Sequence, residues 1–475
     1  MKKERIMPTE MMIKDQKRSL IGNVVKVAIF AGSKIIHVKI ADKEDFYLIF
    51  FRDSFVYGDY LEVVEEGSFI SKGFQEGFVI DASNPFLSAL IPKKSVSILN
   101  RGKLFSHLKL HFSPQEIAYI ATTLDSFFQK DILIKIIEQI YFEYRRSGKF
   151  MRAYQILIIL TEFMPELQSA KERLASIEYT SYDDFYHSSS LQTIFKKDPL
   201  FIEIHCFKNR SHPKKHQFLE EMLTLKNRFP EIILLWLEKT RKVQELESIR
   251  VYTQIALKCV SMEDWIITLV HEKINPYIHL PEAKPIIDGM ISEGEYEKAA
   301  KLLLHFMDEL PAAYDSALMK LWENVDVEFV ISHFALYQAV LEKQINKKSE
   351  EHLEEQMNQL ITNLFKRYDL KTICEKMLPF MEIMPHSKIL NQLRQIGEIA
   401  EDPDRMLELG DFYFEYKQYD LAIECYSWEM ELSPQSPEPV AKISKVYQHK
   451  GMGQEAAAYQ KVYTQMKERE ITERF

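Results

Sequence analysis

The chain has 475 residues, of which 46% are hydrophobic and 28% are charged, and only 14 are glycine. This apolar content excludes a largely disordered chain. The scarcity of glycine argues against dinucleotide-binding folds and β-propellers, whose turns need many glycines, and it favours helices.

The net charge of −9 is distributed unevenly along the chain. Residues 1–112 contain 17 Lys and Arg against 13 Asp and Glu, whereas the remaining residues have an acidic excess. An acidic surface is poorly suited to phosphate backbones, so this pattern permits nucleic-acid binding only through residues 1–112.

The cysteines and the apolar segments indicate a location inside the cell. Cys206, Cys259, Cys374 and Cys425 are far apart and form no CxxC pair, which predicts reduced thiols rather than a secreted disulfide framework. No apolar segment of a signal peptide follows the charged N-terminus, and no apolar run approaches the roughly 20 residues of a membrane span. We therefore expect a cytoplasmic protein without a membrane span.

The N-terminal residues carry strand signals. β-Branched and aromatic runs occur at Gly22–Phe30, Lys34–Ile40, Phe46–Phe51, Gly58–Val63 and Gly77–Ile80. Strands at this spacing predict a small antiparallel sheet or a five-stranded barrel. The Gly-Asp-x-Leu-x-Val run resembles a strand of oligonucleotide-binding or SH3-like barrels, a likeness that many small β-domains share and that carries no function by itself.

A capping box marks the change from strands to helices. Ser113 is a candidate N-cap, Pro114 suits the first helical position, and Glu116 suits the third. Apolar residues recur at helical spacing from there onward. We therefore predict a β-rich domain over 1–112, a helical array over 113–400, and a more regular C-terminal part over 401–475.

The C-terminal part contains a repeat-like pattern between Pro403 and Pro434. A large apolar residue, Leu-Gly, an aromatic, a second aromatic, Ala, a third aromatic and a closing Pro follow one another at fixed offsets: Met406, Leu409, Gly410, Tyr413, Tyr419, Ala422, Tyr426 and Pro434. The stretch resembles a tetratricopeptide repeat, whose period is about 34 residues. The resemblance implies a helix-turn-helix unit that stacks on its neighbours and presents a concave face to partners.

Weaker copies of the pattern occur elsewhere. Residues 134–167 contain Gly148, Ala153 and Pro165 in register, and Gly294 with Ala299 match an inter-helix turn and the start of a second helix. The residues after Pro434 continue the repeat and are expected to end in a capping helix. The expected fold is mainly α: a tetratricopeptide-like solenoid of stacked helix-turn-helix units, preceded by a small barrel-like β-domain.

One segment interrupts the helical pattern. Tyr179–Ser190 is rich in Ser, Asp and Tyr, and we interpret it as an exposed loop between repeats. A hinge or a modification site is the alternative.

Motifs that carry chemistry are absent from the sequence. It contains no phosphate-binding GxxxxGK[ST] or GxGxxG loop, no GxSxG elbow and no HExxH helix. We therefore name no catalytic nucleophile or base, and we expect a protein that is not an enzyme and has no cofactor. An enzyme whose catalytic residues assemble from distant positions is the alternative.

One cluster has partial metal-ligand spacing. Cys206, His212 and His216 lie close in sequence after His205, but Pro213 interrupts the helix that would align the two later imidazoles. The lysines around them would repel a cation, so no metal site is expected. The same basic stretch, 208–216, is either a solvated loop, which is favoured, or a surface for an acidic partner.

The repeat resemblance implies a partner-binding groove on the first helix of each unit. Its positions in this sequence are Asp404, Leu407, Asp411, Phe414 and Glu415, followed by Glu438, Lys445 and His449. The family's best-known groove binds a C-terminal carboxylate through cations, which Leu407, Asp411 and Glu415 replace here. An acidic groove with an exposed Phe414 suits a basic or amphipathic helical segment better. Ordinary surface positions are the alternative for each residue.

The expected function is that of a cytoplasmic scaffold that binds a protein or peptide on the concave face of the solenoid. In the alternative, the β-domain binds nucleic acid while the helical array senses a peptide or protein. Lys34, Lys39, Phe46, Tyr47 and Phe51 would then supply charge and stacking, although aromatic residues in alternating strands also suit a core.

Overall fold

The computed structural model describes residues 9–15, 18–40, 45–243, 248–333, 350–400 and 402–473. The chain divides into two compact units, one ending at Ala283 and the other beginning at Lys284. The predicted fold class is confirmed, since a single N-terminal sheet is followed by helices. The domain boundaries at 112 and 400 stay predictions, because compactness groups the sheet with the helices that follow it.

The first unit opens with seven strands in one sheet. The strands are β1 (Glu10–Asp15), β2 (Arg18–Phe30), β3 (Ser33–Ile40), β4 (Asp45–Phe51), β5 (Ser54–Tyr60), β6 (Phe78–Asp81) and β7 (Ser95–Ile98). Their order is β5-β4-β3-β2-β1-β7, and β6 pairs with the second half of β2. All pairs are antiparallel except β1 with β7. The sheet closes almost completely into a barrel, which agrees with the barrel-like domain predicted from the sequence.

Helices cover the sheet and share its core. The helices of the first unit are α1 (Phe69–Glu76), α2 (Leu87–Leu90), α3 (Leu104–Leu108), α4 (Pro114–Thr122), α5 (Lys130–Arg146), α6 (Phe150–Phe163), α7 (Gln168–Leu174), α8 (Thr180–Ser188), α9 (Leu191–Lys197), α10 (Pro199–Lys208), α11 (Pro213–Leu225), α12 (Phe229–Val243), α13 (Ile249–Ala256) and α14 (Met262–His271). The predicted capping box of Ser113 and Glu116 begins α4. One hydrophobic core runs from Met11 to Leu280, so sheet and helices stabilise each other.

The second unit is helical throughout the part that the structure describes. Its helices are α15 (Ala283–Ser292), α16 (Tyr296–Leu304), α17 (Asp315–Asn324), α18 (Val327–Ser332), α19 (Glu350–Leu364), α20 (Leu370–Ile383), α21 (Lys388–Ile399), α22 (Met406–Glu415), α23 (Tyr419–Leu432), α24 (Glu438–His449) and α25 (Gly453–Glu473). Helices α22 to α25 pack successively on one another. No helix among the described residues combines the length and apolarity that a bilayer crossing requires.

The same reversal of the backbone ends several helices. A residue with positive φ is followed by one whose N–H donates to a carbonyl five positions earlier, as from Lys149 to Tyr144 and from Gln418 to Tyr413. This is the Schellman motif. The positive-φ residues of these turns are Gly148, Asn227, Lys273, Gly294, Lys417 and Gly451.

The prediction of a loop over Tyr179–Ser190 is wrong, because most of this segment forms α8. Tyr179 is fully buried, and its ring lies 5.8 Å from that of Tyr154 on α6. The hydroxyl of Tyr154 donates to Asp183 over 2.8 Å. Tertiary contacts therefore stabilise a helix whose Ser, Asp and Tyr content favours a loop when considered alone.

The residues that define the predicted repeat lie where α22 meets α23. Leu409, Ala422 and Tyr426 are buried, and Gly410 packs directly under the ring of Tyr426. A Cβ atom on Gly410 would lie 2.4 Å from Cε1 of Tyr426, which is closer than packed carbon atoms approach. The two helices can therefore touch only because Gly410 has no side chain.

We predict that Gly410→Ala destabilises the protein by about 1–3 kcal/mol through overpacking against Tyr426. This loss exceeds the roughly 0.5–1 kcal/mol that Ala gains over Gly inside a helix. Gly289→Ala in α15 is the matched control, because nothing lies within 4 Å of its added Cβ, and it should stabilise. Thermal unfolding of the full chain measures both effects. A higher melting temperature for both variants would contradict the close packing at Gly410.

Candidate functional site

The predicted groove residues other than Asp404 lie on α22 and α24, whose side chains contact each other. Lys442 of α24 bridges them, since its Nζ lies 2.6 Å from Oδ2 of Asp411 on α22 and 3.4 Å from Oε1 of Glu438. We call the surface formed by Asp411, Phe414, Glu438, Lys442, Lys445 and His449 the α22–α24 face. The resemblance did not point to Lys442, although it lies one helical turn after Glu438.

Phe414 occupies the centre of the α22–α24 face. Its ring centroid lies 5.1 Å from that of His449 and 5.9 Å from that of Tyr419, and the ammonium of Lys445 lies 5.2 Å above the ring. These contacts leave Phe414 half-buried, so the expectation of an exposed Phe is wrong. The structure thus brings Phe414, Lys445 and His449 together as one aromatic and cationic cluster.

Three of the remaining predicted groove residues lie outside the ring and cation contacts of this cluster. Leu407 is half-buried against the core of the last helices, and Asp404 is exposed in the turn before α22. Glu415 is exposed and accepts a hydrogen bond of 3.3 Å from Gln392. Asp404 and Glu415 therefore contribute exposed negative charge to α22 outside the cluster.

The charges of the α22–α24 face largely cancel. Asp411 accepts a 2.7 Å hydrogen bond from the hydroxyl of Tyr426 and pairs with Lys442, and Glu438 shares the same ammonium. Burial, followed by the hydrogen bond to Asp411, raises the pKa of Tyr426 well above its usual value. The expectation of an acidic groove is therefore wrong for its centre, because Lys442 and Lys445 together balance the charges of Asp411 and Glu438.

The residues proposed for nucleic-acid stacking are buried. Phe46 and Phe51 are 1% exposed and Tyr47 is 9% exposed. Lys34 is 5% exposed and its ammonium lies 2.7 Å from the carboxylate of Asp53. Bases cannot stack on these rings, so their assignment to a binding surface is wrong and they belong to the core.

The His and Cys residues near 205–216 do not converge. Cys206 is fully buried in α10, whereas His212 caps α11 and Pro213 takes the first helical position. Nδ1 of His216 lies 3.3 Å from the carbonyl of Arg210. The described residues contain no group of three or more His, Cys, Asp or Glu side chains placed to bind a metal.

The basic stretch 208–216 has internal partners. Lys208 pairs with Glu162, and Arg210 pairs with Glu238 and donates to the carbonyl of Glu76 over 2.7 Å. The guanidinium of Arg210 also lies over aromatic rings of the core. Much of the positive charge of this stretch therefore stabilises the first unit.

A cleft of the first unit lies beside Lys208. Two cavities of about 320 and 260 Å³ share Ile159, Glu162 and Lys208 as lining residues. Burial, and next the positive charge of Lys72, lower the pKa of Lys208. The larger cavity is lined by equal numbers of acidic and basic side chains: Lys72, Glu76, Asp125, Lys130, Glu162 and Lys208. This balance gives the cleft no preference for either sign of ligand.

A network of charged side chains surrounds the buried Glu203 of α10. Its side chain is 3% exposed, pairs with Arg228, and lies 2.9 Å from Nζ of Lys226. Arg52, in the turn between β4 and β5, lies 3.8 Å from Glu203 and 2.9 Å from Glu116 of α4. The network therefore connects the sheet to the helices.

Glu203 remains ionised despite its burial. Burial alone would raise the pKa of Glu203, but the positive charges of Arg228 and Lys226 outweigh it and lower the pKa to about 2. Because the folded pKa lies below the usual value of 4.5, the stability that ionised Glu203 contributes is present above pH 4.5. It is lost as the pH falls towards 2.

We predict that Glu203→Gln destabilises the protein by about 1.5–3 kcal/mol at pH 7, since Lys226 loses its ion pair and the buried Arg228 keeps only Glu231 as a counter-charge. Glu178→Gln is the control, because its pair with Arg145 is partly exposed and should contribute about 0–1 kcal/mol. Urea unfolding at several pH values measures both. The difference between wild type and Glu203→Gln should shrink between pH 4.5 and 2. A difference that does not change with pH would contradict the role of the charge.

Neither a scan against models of protein families nor a search among curated proteins gives a match for this chain. The tetratricopeptide assignment thus stays a prediction that rests on the residues between Pro403 and Pro434.

Proposed function

We propose that this chain is a cytoplasmic scaffold of the tetratricopeptide type, which binds a helical segment of another protein on the α22–α24 face. The observation that supports this most directly is the set of side-chain contacts between α22 and α24, in which Lys442 pairs with Asp411 and Phe414 meets Lys445 and His449. Side chains that are already held by such contacts lose little conformational entropy when a ligand binds.

The chemistry of the face favours an amphipathic ligand with basic residues. Phe414 and the half-buried Leu407 offer apolar contact, while Asp404 and Glu415 add exposed negative charge along α22. A C-terminal carboxylate fits less well, because Asp411 and Glu438 already engage the ammonium of Lys442. The ligand class is therefore a helix that places apolar residues over Leu407 and Phe414 and a cation near Glu415.

We do not extend the proposal to nucleic acid. The aromatic residues that would stack on bases are in the core of the sheet, and Lys34 is paired with Asp53. Of the residues considered for that function, Lys39 alone is exposed. Binding to single strands requires both a basic groove and accessible rings.

A selection of peptides from a random displayed library on the full chain tests the proposal. We expect one convergent class of basic amphipathic peptides. Their affinity should fall at least about tenfold in Glu415→Lys, because like charges then oppose each other. Glu375→Lys on α20 makes the same charge change at another exposed position and should leave the affinity unchanged. Fluorescence anisotropy with a labelled peptide gives both dissociation constants.

Two results would overturn the proposed function. The first is a selection that yields no convergent class. The second is a class whose affinity responds equally to Glu415→Lys and to Glu375→Lys, since this would mean that only the net charge of the chain matters.

A further inference from the structure

Helix α23 carries an exposed apolar stripe. Leu421, Trp428 and Leu432 are 38%, 51% and 51% exposed, and their spacing places them on one side of the helix. The adjoining side of α23 is already packed, because Ala422 and Tyr426 are buried against α22 and α24, and Cys425 at the edge of the stripe is buried as well. The stripe is therefore additional to the side that stabilises the fold, and it extends over about 16 Å of helix.

Acidic side chains flank the stripe. Glu424 and Glu431 lie on one side of it and Glu429 lies on the other, by the angular spacing of an α-helix. None of these three carboxylates has a hydrogen bond or an ion pair with another described residue. The nearby Asp420, in contrast, lies 2.5 Å from Nζ of Lys450. The rim of the stripe thus carries negative charge without a counter-charge.

We propose that this stripe is a docking surface for a basic amphipathic helix of another protein. A large aromatic residue between two leucines is the type of anchor that dominates binding energy at interfaces. Lysines or arginines on either side of the apolar row of the partner would reach Glu424, Glu429 and Glu431. The surface lies on α23 and does not depend on the α22–α24 face.

A second copy of the chain is a poorer occupant of the stripe. A twofold interface brings the same patch of both copies together. The rims of Glu424 and Glu431 would then face each other, and like charges at an interface oppose association. The charge of the rim therefore selects a basic partner over self-association.

Fluorine NMR of the full chain with 5-fluorotryptophan tests the proposal. The chain has four tryptophans, and Trp428→Phe identifies the resonance of Trp428. The probe is an amphipathic helical peptide of Leu and Lys, about 15 residues long, which covers the length of the stripe. We expect the resonance of Trp428 to shift, and the affinity to fall about tenfold in Glu424→Lys/Glu431→Lys. A Leu and Glu peptide of the same pattern should not bind.

The outcomes separate this surface from the α22–α24 face. A peptide bound to that face would leave the Trp428 resonance in place and would respond to Glu415→Lys, which overturns the docking proposal but not the proposed function. A Trp428 shift that persists in Glu424→Lys/Glu431→Lys would also overturn it. Sedimentation velocity tests the other occupant: a dimer that dissociates in Trp428→Glu would assign the stripe to self-association instead.

Discussion

A backbone reversal with one residue in the left-handed conformation ends helices in both compact units. The reversal fixes where the next helix begins, because helices such as α6 and α23 start two residues after the left-handed position. An L-residue in this conformation costs about 1–2 kcal/mol, and glycine avoids the cost. Gly148, Gly294 and Gly451 fit this requirement. Lys417 does not, so the contacts between α22 and α23 must offset its strain in the most regular repeat.

Local chemistry made five of the seven strands, the start of α4 and the turns at Gly148 and Gly294 predictable from the sequence, whereas β1 and β7 were not predicted. The capping box at Ser113 needs only residues three positions apart, and the β-branched and aromatic runs of β3 and β4 lie within each strand. Helix α8 was not predictable in this way, because its composition favours a loop. Its stability comes from tertiary contacts such as the hydrogen bond between its own Asp183 and Tyr154, which lies 29 positions earlier in the chain. The Glu203 network has the same origin, since Arg52 and Arg228 approach Glu203 only in the folded chain.

The candidate site shows which properties of a surface a repeat pattern predicts and which it does not. Position alone identified Asp411, Phe414 and Lys445, whose contacts now place them on one face. Charge and exposure depend instead on neighbours that the pattern does not include. Lys442 converts an acidic groove into a balanced one, and His449 covers part of a ring expected to be free. A pattern of structural residues therefore predicts where side chains lie better than how they meet a ligand.

The two surfaces of the second unit differ in what a ligand must displace. A ligand on the α22–α24 face that recruits Lys442 or Asp411 first has to break their ion pair, so much of its interaction energy replaces contacts that already exist. The stripe on α23 has no such competitor among the described residues, because Trp428 is 51% exposed and none of them forms an ion pair with its acidic rim. Burial of apolar area at about 25 cal/mol per Å² then contributes to affinity directly. The α22–α24 face is therefore suited to discriminating between ligands by their charge, whereas the stripe is suited to binding a ligand through burial of apolar area.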